Sequence, residues 1–213
     1  MKYTSILFDF DGTLANTNGL VIGSWKHTFR QLQGIEQSDE FIKKTFGEPL
    51  GVSMQKFFPD VPVEEAINVY RGYQKDVFEN LIEPFDGMVE LVKELKAKGY
   101  KTAVTTSRMA PSTLAGLRKF GLVEDFDVIV TADDTTKHKP DPEPVLITLE
   151  KLGVKPEEAL MIGDSMFDIK CAHNAGVEAV LVGWAEAVSE EDLNGPDRPE
   201  YFMEKPEDLF EIL

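Results

Sequence analysis

From residue 84 onward the chain alternates short, apolar, β-prone runs with stretches of helical period. That alternation restricts the fold more than any other feature of the sequence. Met88, Leu91, Val92 and Leu95 recur at helical spacing, and Gly99 stands where a left-handed residue ends such a helix. Residues 101–105 then read as a strand, followed by a helix that Pro111 can start and Gly121 can stop. The pattern repeats with a strand at 127–131, a helix at 143–152 ended by Gly153, and a strand at 159–162. A helix at 167–175 ended by Gly176 and a strand at 178–182 complete it. The apolar run 5–10 near the N-terminus adds another strand. Strands and helices in this order predict a parallel α/β sheet with helices on both faces. The stretch 195–199, rich in Gly and Pro, reads as a surface loop before a short final helix.

Between the first strand and this alternation the rhythm is purely helical. Leu20, Val21, Trp25, Phe29 and Leu32 mark one helix, and Ile67, Tyr70, Tyr73, Val77 and Phe78 another. A further helical stretch is expected near 38–46, with Gly47, Pro49 and Gly51 forming a loop after it. The expected organisation is a discontinuous α/β core, residues 1–15 and 83–213, with a helical insertion at 16–82 just after the first strand.

Composition narrows the partners. A formal net charge of −16 repels nucleic acid and anionic membrane surfaces. Small anionic substrates stay compatible with it, because local cations and a bound metal override the global field. No apolar run approaches the roughly 20 residues that span a bilayer. The N-terminus has no signal-peptide pattern, so a cytoplasmic location is expected. Cys171 is the only cysteine, which excludes an intrachain disulfide and a thiolate metal site.

In an open α/β sheet, ligands bind outside the C-terminal ends of the strands, and four such ends carry polar chemistry here. The first strand ends in Asp9-Phe10-Asp11-Gly12-Thr13. Two acids two residues apart lie on one side of an extended chain, and their repulsion calls for a cation. Mg²⁺, which prefers carboxylate and phosphate oxygens, suits the position. Gly163-Asp164-Ser165 ends another strand, with Asp168 one helical turn later on the same face. Lys139, stiffened by Pro140 and Pro142, is the preferred phosphate-balancing cation over Lys137 and His138. Thr105, Thr106 and Ser107 offer hydroxyl and N–H groups at a third strand end, with Thr106 preferred.

These motifs, in this order, resemble the haloacid dehalogenase (HAD) superfamily of phosphohydrolases. The chain looks most like phosphoglycolate-phosphatase-type members. Residues 130–145 and 155–161 look especially like the HAD-type inorganic pyrophosphatases of Gram-positive bacteria. The resemblance implies a Rossmann-like core with a helical cap inserted after the first strand. It implies a Mg²⁺-dependent hydrolase in which Asp9 is the nucleophile, forming an aspartyl-phosphate, and Asp11 is the general acid and base. Asp9, the Asp11 backbone carbonyl and Asp164 would hold the metal. Thr106, Ser107 and Lys139 would bind phosphate, and Asp168 would orient Lys139 or a metal-bound water. An acid at position 11 is what a phosphatase or phosphomutase carries, so a β-phosphoglucomutase-like mutase is the alternative. A non-catalytic phosphate sensor would not need Asp11. The expected substrate is a small phosphorylated metabolite or pyrophosphate, and the expected state a monomer or homodimer. Residues 46–50 of the insertion are candidates for substrate discrimination, and Arg71 and Lys43 candidates for a second anionic group.

Overall fold

The computed structural model of the chain describes residues 2–46 and 48–213. They pack as two compact units, one formed by residues 2–16 and 83–213, the other by the described residues between 17 and 82.

The first unit is built on a six-stranded parallel sheet. Its strands are β1 (Ser5–Phe8), β4 (Lys101–Thr105), β5 (Val128–Val130), β6 (Ala159–Gly163), β7 (Glu178–Val182) and β8 (Tyr201–Met203). Their spatial order is β5-β4-β1-β6-β7-β8. The first strand therefore lies inside the sheet, paired with Ala159–Gly163 on one side and Lys101–Thr105 on the other. Its four residues are all buried, as in a strand covered on both faces. Helices α5 (Met88–Ala97), α6 (Ala110–Phe120), α7 (Glu143–Leu152) and α8 (Met166–Asn174) supply the cover. Leu7, Met161, Ala179 and Leu181 pack with Val145, Leu149 and Ile169 from α7 and α8. Phe8, on the opposite face by pleat alternation, meets Phe126 edge-on at 6.2 Å. Beyond the sheet, α9 (Glu190–Asn194) and α10 (Leu209–Ile212) complete the C-terminal region. This is the expected α/β, Rossmann-like class.

The chain leaves and re-enters this unit through a two-stranded antiparallel ribbon, β2 (Ala15–Asn16) with β3 (Glu83–Pro84). The second unit is helical: α1 (Asn18–Gln33), α2 (Asp39–Lys43), α3 (Leu50–Phe57) and α4 (Val63–Leu81). Its core is aromatic, with Trp25, Phe29, Phe58 and Tyr70 buried around Met54 and Ile42. The Phe29 and Phe58 rings lie 4.9 Å apart.

Two local expectations change. The loop expected around Pro49 and Gly51 is instead the start of α3, with Pro49 at its N-cap. Proline suits a helix start because its missing N–H has no partner to lose there; Gly47 lies outside the described residues. The segment after the 195–199 loop adds an edge strand, β8, before the final helix. The Gly183 N–H donates to the Met203 carbonyl at 2.8 Å, extending the β7–β8 ladder.

Candidate active site

The site grows from three neighbouring strand tips. Ladder hydrogen bonds continue one residue past β1 and β4. The Asp9 N–H donates to the Ile162 carbonyl (2.9 Å), and the Thr106 N–H to the Val130 carbonyl (3.0 Å). Asp9 thus stands beside the end of β6, where Asp164 follows Gly163. Carboxylate oxygens of Asp9, Asp164 and Asp168 all lie within 4.8 Å of one another.

Local geometry packs these acids tightly. Gly12 has φ 74°, a left-handed conformation that glycine adopts without steric cost. A Cβ there would collide with the Asp164 carboxylate. The Trp184 indole N–H donates to the Gly12 carbonyl at 3.0 Å, pinning the same turn from β7's end of the sheet. Ser165 caps α8, and Asp168 completes a capping box with it. Asp168 Oδ2 accepts from the Ser165 N–H (3.1 Å) and hydroxyl (2.6 Å). Its other oxygen, Oδ1, accepts from Lys139 Nζ at 2.5 Å. The same ammonium donates to Asp9 Oδ1 at 2.7 Å. Lys139 is 4% exposed and Asp9 7%. The Lys139 loop is moored to α8 as well: the Asn174 amide donates to the Pro140 carbonyl (2.9 Å), and the Cys171 thiol to the Asp141 carbonyl (3.0 Å).

Crowded charge sets the electrostatics. Burial raises the Asp9 pKa; Lys139 opposes it, while the Asp168 and Asp11 charges reinforce it, and the net result is pushed up to about 7. Burial, followed by the charges of Asp168 and Asp9, lifts Asp164 well above the usual carboxylate range. Burial works against the Lys139 ammonium, but Asp168 and Asp9 outweigh it and hold its pKa above the ordinary lysine value. Two acids whose charged forms are disfavoured, with oxygens converging, make a donor set that fits a hard divalent cation. Asp168 already has both oxygens engaged, by Lys139 and Ser165, which leaves Asp9 and Asp164 as the carboxylates best placed to take one.

The remaining expected residues fall into clear places. The Asp11 carboxylate is outside the acidic trio and is gripped by Arg108, with Arg108 Nε 2.8 Å from Oδ2 and Nη2 2.8 Å from Oδ1. Thr106 is buried, and its hydroxyl accepts from the Arg108 N–H at 3.1 Å. The neighbouring Thr105 hydroxyl is turned away, paired with Thr148 at 2.8 Å, which favours Thr106 between the two. Ser107 is exposed at the strand end. Lys137 is exposed and pairs with Asp141 at 3.2 Å, and His138 meets Thr135; neither touches the acids. In the helical unit, Glu48 accepts from the Ser53 hydroxyl, Lys43 is half-buried at the end of α2, and Arg71 is exposed on α4.

Arg108 and Trp184 escaped the sequence reading. Both had a signal available, since each lies within three residues of the C-terminal end of a strand. Their roles emerge only from what their side chains meet.

A family model described as haloacid dehalogenase-like hydrolase matches residues 6–182, most of the chain. The chain belongs to this family. Among curated relatives, "Pyrophosphatase PpaX" of Halalkalibacterium halodurans is 38% identical over 213 residues, covering 100% of this chain and 98% of that protein. The Bacillus cereus (strain AH820) protein of the same name is 38% identical over 218 residues, covering 100% and 97%. Among solved structures, a "putative phosphoglycolate phosphatase" from Lactobacillus plantarum superposes with TM-score 0.85 at 27% identity, covering 100% of both chains. The haloacid dehalogenase-like protein SP0104 from Streptococcus pneumoniae reaches TM-score 0.88 at 24% identity, covering 99% and 98%, and shows the shared fold.

Proposed function

We propose that this hydrolase is a Mg²⁺-dependent phosphatase that works through an aspartyl-phosphate on Asp9, with pyrophosphate or a small phosphate monoester as substrate. One observation carries the reading: Lys139 bridges Asp9 and Asp168 inside the converging acidic trio. A carboxylate held next to a buried ammonium, at the tip of a central strand, is a nucleophile with a fixed direction of attack. The curated relatives' name supports pyrophosphate, and the Lactobacillus structure supports a phosphoglycolate-like ester.

Asp9 attacks phosphorus and takes the phosphoryl group, while Asp11 gives a proton to the departing oxygen. Water then attacks the aspartyl-phosphate, Asp11 takes the water's proton, and Asp9 is released. Thr106, Ser107 and Lys139 bind the phosphoryl oxygens. Asp168 orients Lys139, a part that its two bonds support. Mg²⁺, held by Asp9, the Asp11 carbonyl and Asp164, would supply charge neutralisation so that an anionic nucleophile meets an anionic phosphate. We assign the helical unit formed by residues 17–82, inserted after the first strand, the role of selecting among substrates. The location is the cytoplasm; among the described residues no helix is long and apolar enough to cross a membrane.

The test is direct. Wild-type protein with Mg²⁺ should release phosphate from pyrophosphate and lose the activity on chelation. Asp9→Asn should be inactive yet folded, with a circular dichroism spectrum like wild type. Turnover by purified Asp9→Asn at more than a small fraction of the wild-type rate would falsify the nucleophile assignment.

A further inference from the structure

Resting on the phosphoryl-transfer reading above, we propose that Arg108 is the positioning residue for Asp11. Its guanidinium fork fixes the direction in which Asp11 presents its carboxyl oxygen to the leaving group and then to water. Arg108 lies in the loop between β4 and α6, two residues past Thr106. Its Nε sits 2.8 and 3.0 Å from the two oxygens of Asp11, and its Nη2 reaches Oδ1 at 2.8 Å. A planar fork that meets both oxygens holds a carboxyl group in one orientation, which a point charge such as lysine does not.

The arginine is itself held from several sides. Its N–H donates to the Thr106 hydroxyl, and its carbonyl accepts from the Ala132 N–H at 3.0 Å. The guanidinium carbon stands 6.0 Å from the centroid of the Phe10 ring, which is fully buried and stacked on Phe120. The exposures are unequal: the Arg108 side chain is 8% exposed and that of Asp11 32%. The fork is buried while the acid it directs still meets solvent and substrate. A buried charge is costly unless paired, so the pairing is built into this corner of the fold.

The placement matches what Asp11 is asked to do. In the first half-reaction a bond forms between an Asp9 oxygen and phosphorus. The bond from phosphorus to the leaving oxygen breaks, and that oxygen takes Asp11's proton. In the second, a water oxygen bonds to phosphorus and the bond from phosphorus to Asp9 breaks. The water's proton then goes to Asp11. One water is consumed and the enzyme is restored. A single side chain must meet two different oxygens in succession, and small misplacements of such a group are expensive.

The experiment compares leaving groups in the full-length protein with Mg²⁺, using kcat/KM, which reports the steps through loss of the leaving group. An alkoxide leaves only with a proton, whereas a nitrophenolate leaves without one. Arg108→Met should lower kcat/KM for a simple alkyl phosphate by on the order of 100-fold, the scale of a general-acid contribution. For para-nitrophenyl phosphate the expected loss is under about fivefold, because no general acid is needed there. Arg108→Lys, which keeps the charge without the fork, should fall between and show the same graded pattern; it also decides the matter if the methionine variant fails to fold. Added guanidinium should restore part of the alkyl-phosphate rate to Arg108→Met and leave the nitrophenyl rate unchanged. Equal losses on both substrates, or a faster enzyme, overturn the proposal. Asp9→Asn run in parallel separates the two readings. If it is dead while Arg108→Met loses both rates equally, only this inference falls; if it is active, the reading beneath it falls too.

Discussion

Lys139 is the residue on which the acidic trio depends. Its ammonium is the cation between two buried carboxylates, one of which, Asp168, is also held by Ser165. Replacing it with methionine strands the Asp9 and Asp168 charges in a region with little water. We expect Lys139→Met to lose about 3 kcal/mol of stability, the scale for a buried pair that loses one partner. Adding Asp168→Asn should recover part of that loss, because the amide has no charge to strand, while activity stays absent. Thermal unfolding of the single and double variants checks this; a double variant no more stable than the single would show that charge is not the cause. At this scale the acids and Lys139 were legible because each is announced by its neighbours: an apolar strand before, a glycine or proline beside. Arg108 was not, because no glycine or proline stands beside it to mark it, and its importance lies in the Asp11 carboxylate that only the fold brings to it.

Helix α8 shows how one element sets a site. Ser165 and Asp168 close its first turn, and the bond that caps the helix leaves Asp168's other oxygen aimed at Lys139. Helix capping and lysine orientation are therefore one event. Ser165→Ala should cost about 1 kcal/mol, the usual price of a lost cap. It should also lower kcat by about tenfold, because the orienting carboxylate loses a donor. Ser189→Ala is the control: α9 begins with the same box, the Ser189 hydroxyl donating to Asp192 at 2.6 Å, on residues outside the site. It should show a similar stability loss with kcat unchanged, and equal kcat losses in both variants would refute the coupling. Elements with a strong period and a glycine stop, such as α7 ending at Gly153, could be read directly. Helix α3 and strand β8 could not. A proline and a glycine at the start of α3 imitate a loop, and three residues at a sheet edge are too short to display a period.

Across the whole molecule, charge crowding links stability to pH. In the metal-free fold Asp9, pushed up to about 7, and Asp164, raised well above its usual range, bind protons more tightly than they do in the unfolded chain. Their contribution is complete below the ordinary carboxylate range and is lost as pH rises through the folded values. Asp127, Asp134 and Glu178 are shifted the other way, so their contribution is lost only at acid pH, and that of Lys139 is constant until far above neutrality. With chelator present, Tm at pH 8 should be lower than at pH 5.5, and Mg²⁺ should raise Tm more at pH 8. Asp9→Asn with Asp164→Asn should flatten most of that slope; an unchanged slope would place the effect in the general acidity of the chain. The sheet class was legible because strand–helix alternation leaves few arrangements, whereas the spatial order of strands is decided by packing that no single segment encodes. That order has a consequence for synthesis. Ser5 of β1 pairs with Lys101 on one flank and Ala159 on the other. Of these three strands β1 is synthesised first, stays unpaired until Lys101–Thr105 follows and open on one flank until Ala159–Gly163 follows, so this enzyme's nascent chain is an expected client of chaperones that shield apolar segments.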